Sequence, residues 1–311
     1  MRKPYVLGYV LIAALTVVWG ISFPIGKLAL REIDPWTARS TVLVSCGALL
    51  LFVSWFLGQS LRLNRHDLFA LAKVAAFNIF GWHLLLAFGL RISDASNAVI
   101  IAYTMPVWAM ILGVWILGET ISFRSVTALI LAITSLGILI GGHIGAVATN
   151  GSAPILLLLA AMCWAYGTIL QKSLKVKLGL AAMAGWQLLL GAAPITLGML
   201  LFGQPEELVT VSSTALGATY FSMIAMTFCY WAWFKVVEIF PAHVASIGVA
   251  AAPVFGVIAS GLILGESLGW KKWGALFLVV AGLLLLAIPG RVQAFRKLRP
   301  IQTPVSSKYA N

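Results

Sequence analysis

The sequence predicts an all-α integral membrane protein in which ten transmembrane helices form two inverted-topology five-helix repeats. Three observations carry that expectation. Apolar runs close to the roughly 20 residues that a bilayer core requires recur along almost the whole 311-residue chain. The composition is 61% hydrophobic and only 10% charged, with a mean hydropathy of +1.00, too little charge to cover a water-soluble domain of this size. Finally, one span occurs twice, 147 positions apart. Pro106, Val107, Ile111, Ile116 and the closing Leu117-Gly118-Glu119 meet Pro253, Val254, Ile258, Ile263 and Leu264-Gly265-Glu266, flanked by the matches Ala98 with Ala245 and Ala128 with Ala275.

The elements follow in order. The first span, about 6–26, lies behind Arg2 and Lys3 but is too long for a signal-peptide core, lacks an Ala-x-Ala site and runs on into Lys27, so it is expected to remain uncleaved. The second, about 35–57, carries Arg39 early; the third, about 67–90, carries Asn78, Trp82 and His83. The fourth, about 94–117, is interrupted only by Pro106, and the fifth covers about 123–142. Gly151 to Pro154, after the uncharged loop around His143, forms the seam. The sixth, about 152–172, holds Trp164, Thr168 and Gln171, and the seventh, about 179–202, holds Trp186 and Gln187. The eighth, about 212–235, holds Thr227 and Tyr230; the ninth, about 240–264, holds Pro253; the tenth covers about 271–289. The expected division is 1–148, 149–290 and a polar, disordered tail over 291–311.

Charge fixes an orientation. With both termini cytoplasmic, fifteen Lys and Arg fall inside and six (Lys27, Arg31, Arg39, Arg91, Lys271 and Lys272) outside. The net charge of +12 therefore reports topology rather than nucleic-acid binding, because it sits in short loops and the tail instead of along a helix face. Five helices per copy force the second to enter the bilayer from the opposite side. Trp19 and Lys27 then match Trp164 and Lys172 at an offset of 145, and Arg39 can be set against Gln187 at 148. Two inverted halves that mimic each other's tilt make alternating access physically available.

The residues able to carry chemistry are few. Proline within a helix removes a donor and frees the carbonyl four residues earlier, here Ala102 for Pro106 and Val249 for Pro253. Such a site is a tolerated kink, a bending point or a direct substrate contact. Asn78 and Trp82 share one face of the third helix, with His83 turned about 100° away. Trp19, Trp82, Trp164 and Trp186 lie too deep for an interfacial belt and are either core packing or cavity walls. Trp36, Trp55, Trp270 and Trp273 stand near span ends and form that belt. Every Asp and Glu falls in a loop or at a span end, which disfavours a strongly proton-coupled pump; only His83 titrates at mid-depth. Glu119 and Glu266 are expected to accept backbone hydrogen bonds at the start of the helix that follows each. Cys46, Cys163 and Cys229 have no metal or redox spacing and pack in the apolar interior. No enzyme motif appears, and no cofactor or metal is implied.

Trp19-Gly20 with Phe23, Arg39, Thr104-Met105-Pro106 running to Leu117-Gly118-Glu119, and Pro253 running to Leu264-Gly265-Glu266 resemble the EamA-type transporters of the drug/metabolite transporter superfamily, over about residues 6–289. The resemblance implies a ten-helix carrier of the bacterial inner membrane that exports small metabolites. The aromatic and amide residues look like the amino-acid exporter branch. They imply a cavity at Asn78, Trp82, His83, Tyr103, Pro106, Trp164, Trp186, Gln187, Tyr230 and Pro253. The expected partners are amino acids or related metabolites and the lipid bilayer, and ten helices can enclose a cavity as a monomer. The alternative within the same fold is a proton-coupled exporter of drugs or lipophilic cations, which would use a carboxylate in the cavity.

Overall fold

A computed structural model describes residues 3–117, 122–141, 152–172, 174, 176–240 and 249–287. Among them every regular element is helical. These are α1 (Lys3–Glu32), α2 (Pro35–Phe56), α3 (Arg65–Ala75), which continues through a π turn (Ala76–Gly81) into α4 (Trp82–Ile92), α5 (Ala95–Ala102) and α6 (Met105–Leu117). There follow α7 (Phe123–Gly141), α8 (Ser152–Lys172), α9 (Leu180–Phe202), the short α10 (Glu207–Thr210), α11 (Ser213–Ile239), α12 (Ala252–Leu264) and α13 (Trp270–Ala287). Among the described residues six helical stretches are long and apolar enough to cross a bilayer: Tyr5–Glu32, Pro35–Phe56, Arg65–Ile92, Ala95–Ile116, Ser152–Gln171 and Leu180–Phe202. The protein is a multi-pass membrane protein. Side chains such as Phe52, Trp115, Leu200, Ile224 and Phe277 are exposed, as an apolar solvent around the bundle allows.

Local chemistry sets the helix ends. Pro35 opens α2 behind Asp34, whose Oδ1 accepts from the amides of Trp36 (2.9 Å) and Thr37 (3.1 Å). Asn64 caps α3 by accepting from the Asp67 amide at 2.7 Å, and Ser212 caps α11 by accepting from Ala215 at 3.2 Å. Gly265 ends α12 at φ 70°, a left-handed position that glycine occupies without a Cβ penalty, and its amide donates to Gly261 at 3.1 Å.

Packing then brings distant helices together. α1 lies against α11 and α12, α8 against α4, α5 and α6, α2 against α9, and α7 against α13. Glycines mark the closest crossings. A Cβ on Gly20 would stand 2.6 Å from the Ala252 carbonyl oxygen, and one on Gly256 3.1 Å from that of Gly20. Gly47 and Gly185 oppose each other likewise between α2 and α9. Cys46 and Cys229 are buried, and all three cysteines are free thiols.

Several expectations change. α1 continues to Glu32 rather than ending near residue 26, because the Lys27 ammonium is satisfied by three carbonyls at the end of α4: Leu90 (2.8 Å), Arg91 (2.8 Å) and Ser93 (2.7 Å). Glu266 does not cap the following helix. It crosses to the start of α5, accepting from the amides of Ala95 (2.6 Å) and Ser96 (3.0 Å) and from the Ser96 hydroxyl. Lys272 pairs with Asp94 at 2.8 Å and lies 3.8 Å from Glu266. Asp34 Oδ2 accepts from the Gln204 amide at 2.9 Å, and Glu32 accepts from the amide and hydroxyl of Ser212. These groups form a polar rim at one end of the bundle. Trp36 packs on Phe88 and Phe202, with ring centroids 5.9 and 6.0 Å away. Gly118, Glu119, Ala245, the seam around His143 and the tail lie outside the described residues.

Candidate functional site

The cavity is assembled from helix faces. On α1, Trp19, Ser22 and Phe23 recur at helical spacing and face inward together. On α11 the same periodicity places Ser222, Met226, Cys229, Tyr230 and Trp233 along the opposite wall. α4 contributes Trp82, His83, Leu86 and Leu90; the break between α5 and α6 contributes Tyr103 and Met105; α8 contributes Trp164; and α2 contributes Arg39. Together they line about 140 Å³ of water-accessible space.

Two backbone irregularities position these groups. The π turn over Ala76–Gly81 adds a residue to the helical repeat. Asn78 lies within this turn and packs against α8, so close to Gly167 that a Cβ there would stand 2.9 Å from the Asn78 backbone nitrogen. Trp82 and His83 remain on the cavity. The second irregularity is the turn at Tyr103 and Thr104. Pro106 does not stand in mid-helix, as the sequence suggested, but in the first turn of α6, where a missing amide costs little. Thr104 organises the turn: its carbonyl accepts from Val107 at 2.9 Å, and its hydroxyl donates to Ile101 O at 2.6 Å and accepts from Trp108 Nε1 at 3.1 Å. Pro253 repeats the pattern in the first turn of α12, with the Ala251 carbonyl accepting from Val254 at 3.0 Å.

The walls are aromatic. Trp82 and Trp164 stand 5.1 Å apart between ring centroids, Trp19 and Trp233 5.5 Å, and Phe23 and Tyr103 6.4 Å. His83 Nε2 and Tyr230 Oη approach at 3.4 Å, a long contact between residues exactly 147 positions apart. Of the residues expected at the site, Trp82, His83, Tyr103, Trp164 and Tyr230 come together here. Asn78, Pro106, Trp186, Gln187 and Pro253 stand outside the lining. Trp186 Nε1 donates to the Leu61 carbonyl at 3.1 Å, and Gln187 Nε2 donates to Gln171 Oε1 at 2.9 Å.

Arg39 is the residue that sequence reasoning missed. It was counted among the outer orientation charges, yet it is 8% exposed, lines the cavity, and has a buried Nε without a hydrogen-bond partner. The available signal was its place in α2, where it is the sole charge between Asp34 and the end of an apolar span. Among the described residues no Asp or Glu lines the cavity.

The EamA-like transporter family matches residues 6–141 and 151–288. The uncharacterized transporter YetK of Bacillus subtilis is 23% identical over 295 residues, covering 90% of this chain and 86% of that protein. An uncharacterized transporter of Archaeoglobus fulgidus is 26% identical, covering 89% of this chain and 97% of its own length. A probable amino-acid metabolite efflux pump of Salmonella typhimurium is 23% identical over 292 residues, covering 90% of this chain and 94% of that protein. A protein of known crystal structure shares the fold with a TM-score of 0.65 at 16% identity, covering 94% of this chain and 99% of the other.

Proposed function

The chain belongs to the EamA-like transporter family, and from that premise we propose that it exports small metabolites, foremost neutral and aromatic amino acids, across a bacterial inner membrane by alternating access. The observation that carries the proposal is the aromatic cavity where helices from both family-matched segments meet. Tryptophan and tyrosine faces suit an apolar side chain, and His83 with Tyr230 supplies hydrogen-bonding groups beside it. The Salmonella relative, named for amino-acid metabolite efflux, supports this substrate class.

Two inverted five-helix repeats, 1–148 and 149–290, followed by a tail over 291–311, are the architecture we propose. The paired breaks at Thr104 and Ala251 and the exchange of helix contacts between the two segments support it. Both termini are cytoplasmic in this scheme, which places the polar rim on the outer side, and a monomer suffices. Trp82, His83, Tyr103, Trp164 and Tyr230 contact substrate. Pro106 and Pro253 mark the bending points, while Asn78, Trp186 and Gln187 meet substrate further along its path. Transport is facilitated or weakly coupled, since no carboxylate among the described residues lines the cavity to carry a proton. The same observation disfavours a lipophilic cation, which a buried guanidinium would repel.

Radiolabelled neutral and aromatic amino acids presented to liposomes containing the purified protein test the proposal. Saturable uptake accelerated by unlabelled amino acid on the trans side, with little response to an imposed pH gradient, is the expected result. Uptake of a lipophilic cation and of no amino acid overturns it.

A further inference from the structure

We propose that Arg39 and His83 form an anion subsite that anchors the carboxylate of the substrate, so that the carboxylate is required for binding and an ammonium group is dispensable. The proposal deepens the transport reading above and rests on it. Small aromatic and branched monocarboxylic acids without an amino group then belong to the substrate class alongside the amino acids.

The first support is an unmatched charge. A guanidinium is ionised at any physiological pH, and a buried ion without a counter-charge is unfavourable unless something pairs with it. Among the described residues none does so at the cavity. Asp34, the nearest acid in sequence, is occupied: Oδ1 holds the amides of Trp36 and Thr37, and Oδ2 holds that of Gln204. Glu266 is committed to Ala95 and Ser96. Among the described residues Arg39 has no ion pair, and its Nε has no acceptor.

The second support is independent of the first. His83 is 5% exposed, lines the same cavity, and its Nδ1 is likewise buried without a partner. If Tyr230 Oη donates to Nε2 across their 3.4 Å contact, the ring proton resides on Nδ1, which then offers a donor to an anion. Two orphaned nitrogens on two helices thus serve one compartment, and a carboxylate has the two oxygens to meet them. The charge count favours the same ligand: a monocarboxylate neutralises Arg39, whereas a zwitterion leaves the compartment positive. An ammonium finds no carboxylate among the described lining residues, only aromatic faces.

Quenching of tryptophan fluorescence in the purified full-length protein, titrated with 3-phenylpropionate, phenylalanine, phenylalaninamide and phenethylamine, separates the determinants. The two carboxylates should bind saturably, and the amide and amine at least about 30-fold more weakly. Arg39→Gln should weaken 3-phenylpropionate by about 30-fold or more, Arg39→Lys by less, and His83→Ala by an intermediate factor. Arg39→Gln should keep or raise the melting temperature, since it removes an unpaired buried charge; a role confined to folding would lower it. Equal affinity for phenylalanine and phenylalaninamide overturns the anchor, as does unchanged 3-phenylpropionate binding in a folded Arg39→Gln protein. Phenylalanine transport that persists in Arg39→Gln liposomes defeats the anchor and leaves the carrier intact. Arg39-dependent binding of 3-phenylpropionate without any amino-acid transport upholds the anchor and defeats the amino-acid assignment.

Discussion

Lys27 and Arg39 stand twelve residues apart on neighbouring helices and meet opposite conditions. The Lys27 ammonium, which has three protons to donate, finds three carbonyls at the end of α4 within 2.8 Å. Arg39 lines the cavity with its Nε unpaired. The same contrast holds between the polar rim and the cavity as wholes: Glu266, Asp34 and Lys272 each close onto backbone amides or an opposite charge, while His83 and Arg39 each keep a buried nitrogen without a partner. It recurs between the duplicated halves. Gln187, which the sequence sets against Arg39, is neutral and donates to Gln171. Where polar groups are satisfied within the chain they hold helices in place; where they are left open around an aromatic space, they are available to a guest.

That contrast can be broken from either side. The largest effect is expected at the rim. Glu266→Ala leaves the Ala95 and Ser96 donors at the start of α5 unsatisfied and should cost about 3 kcal/mol of stability, read as a lower melting temperature in detergent. Ligand affinity in the folded fraction should be unchanged. Trp164→Ala, at the cavity, should do the reverse: transport or affinity falls about tenfold, roughly 1.4 kcal/mol, while the amount of folded protein in the membrane is preserved. Normal transport by Trp164→Ala at equal abundance would remove Trp164 from the site. Lys27→Met should lower stability by about 1 kcal/mol through the loss of its carbonyl partners, with no change in substrate preference in a counterflow panel. Smallest of all, Tyr230→Phe removes only a 3.4 Å contact and should shift substrate affinity by about threefold or less. A loss as large as that of Trp164→Ala would mean that the hydroxyl holds the substrate more strongly than the aromatic walls do.

Most spans were legible because hydrophobic length is a local property. The second helix, expected at about 35–57, is observed at Pro35–Phe56, and the sixth, expected at about 152–172, at Ser152–Lys172. The aromatic residues of the site were legible by depth for a similar reason, since Trp82 and Trp164 lie too far from the span ends for the interface. What escaped was non-local. The end of α1 depends on carbonyls more than sixty residues away, and the Glu266 cap joins helices that sequence proximity does not connect. The π turn over Ala76–Gly81, within which Asn78 sits, leaves no mark in the hydrophobic pattern. Arg39 misled differently. A cation near a span end looks like an orientation signal, and only the commitment of Asp34 to backbone amides reveals that it lacks a counter-ion among the described residues.

The most direct test of the open-charge account is counterflow of radiolabelled phenylalanine into liposomes containing either the unaltered protein or Arg39→Gln, at matched incorporation and with melting temperatures recorded for both. Trans-stimulated, saturable uptake in the first and its loss in an equally stable second is the predicted result. Equal counterflow by the two proteins would contradict the account, because the unpaired guanidinium would then have no part in holding what the cavity carries.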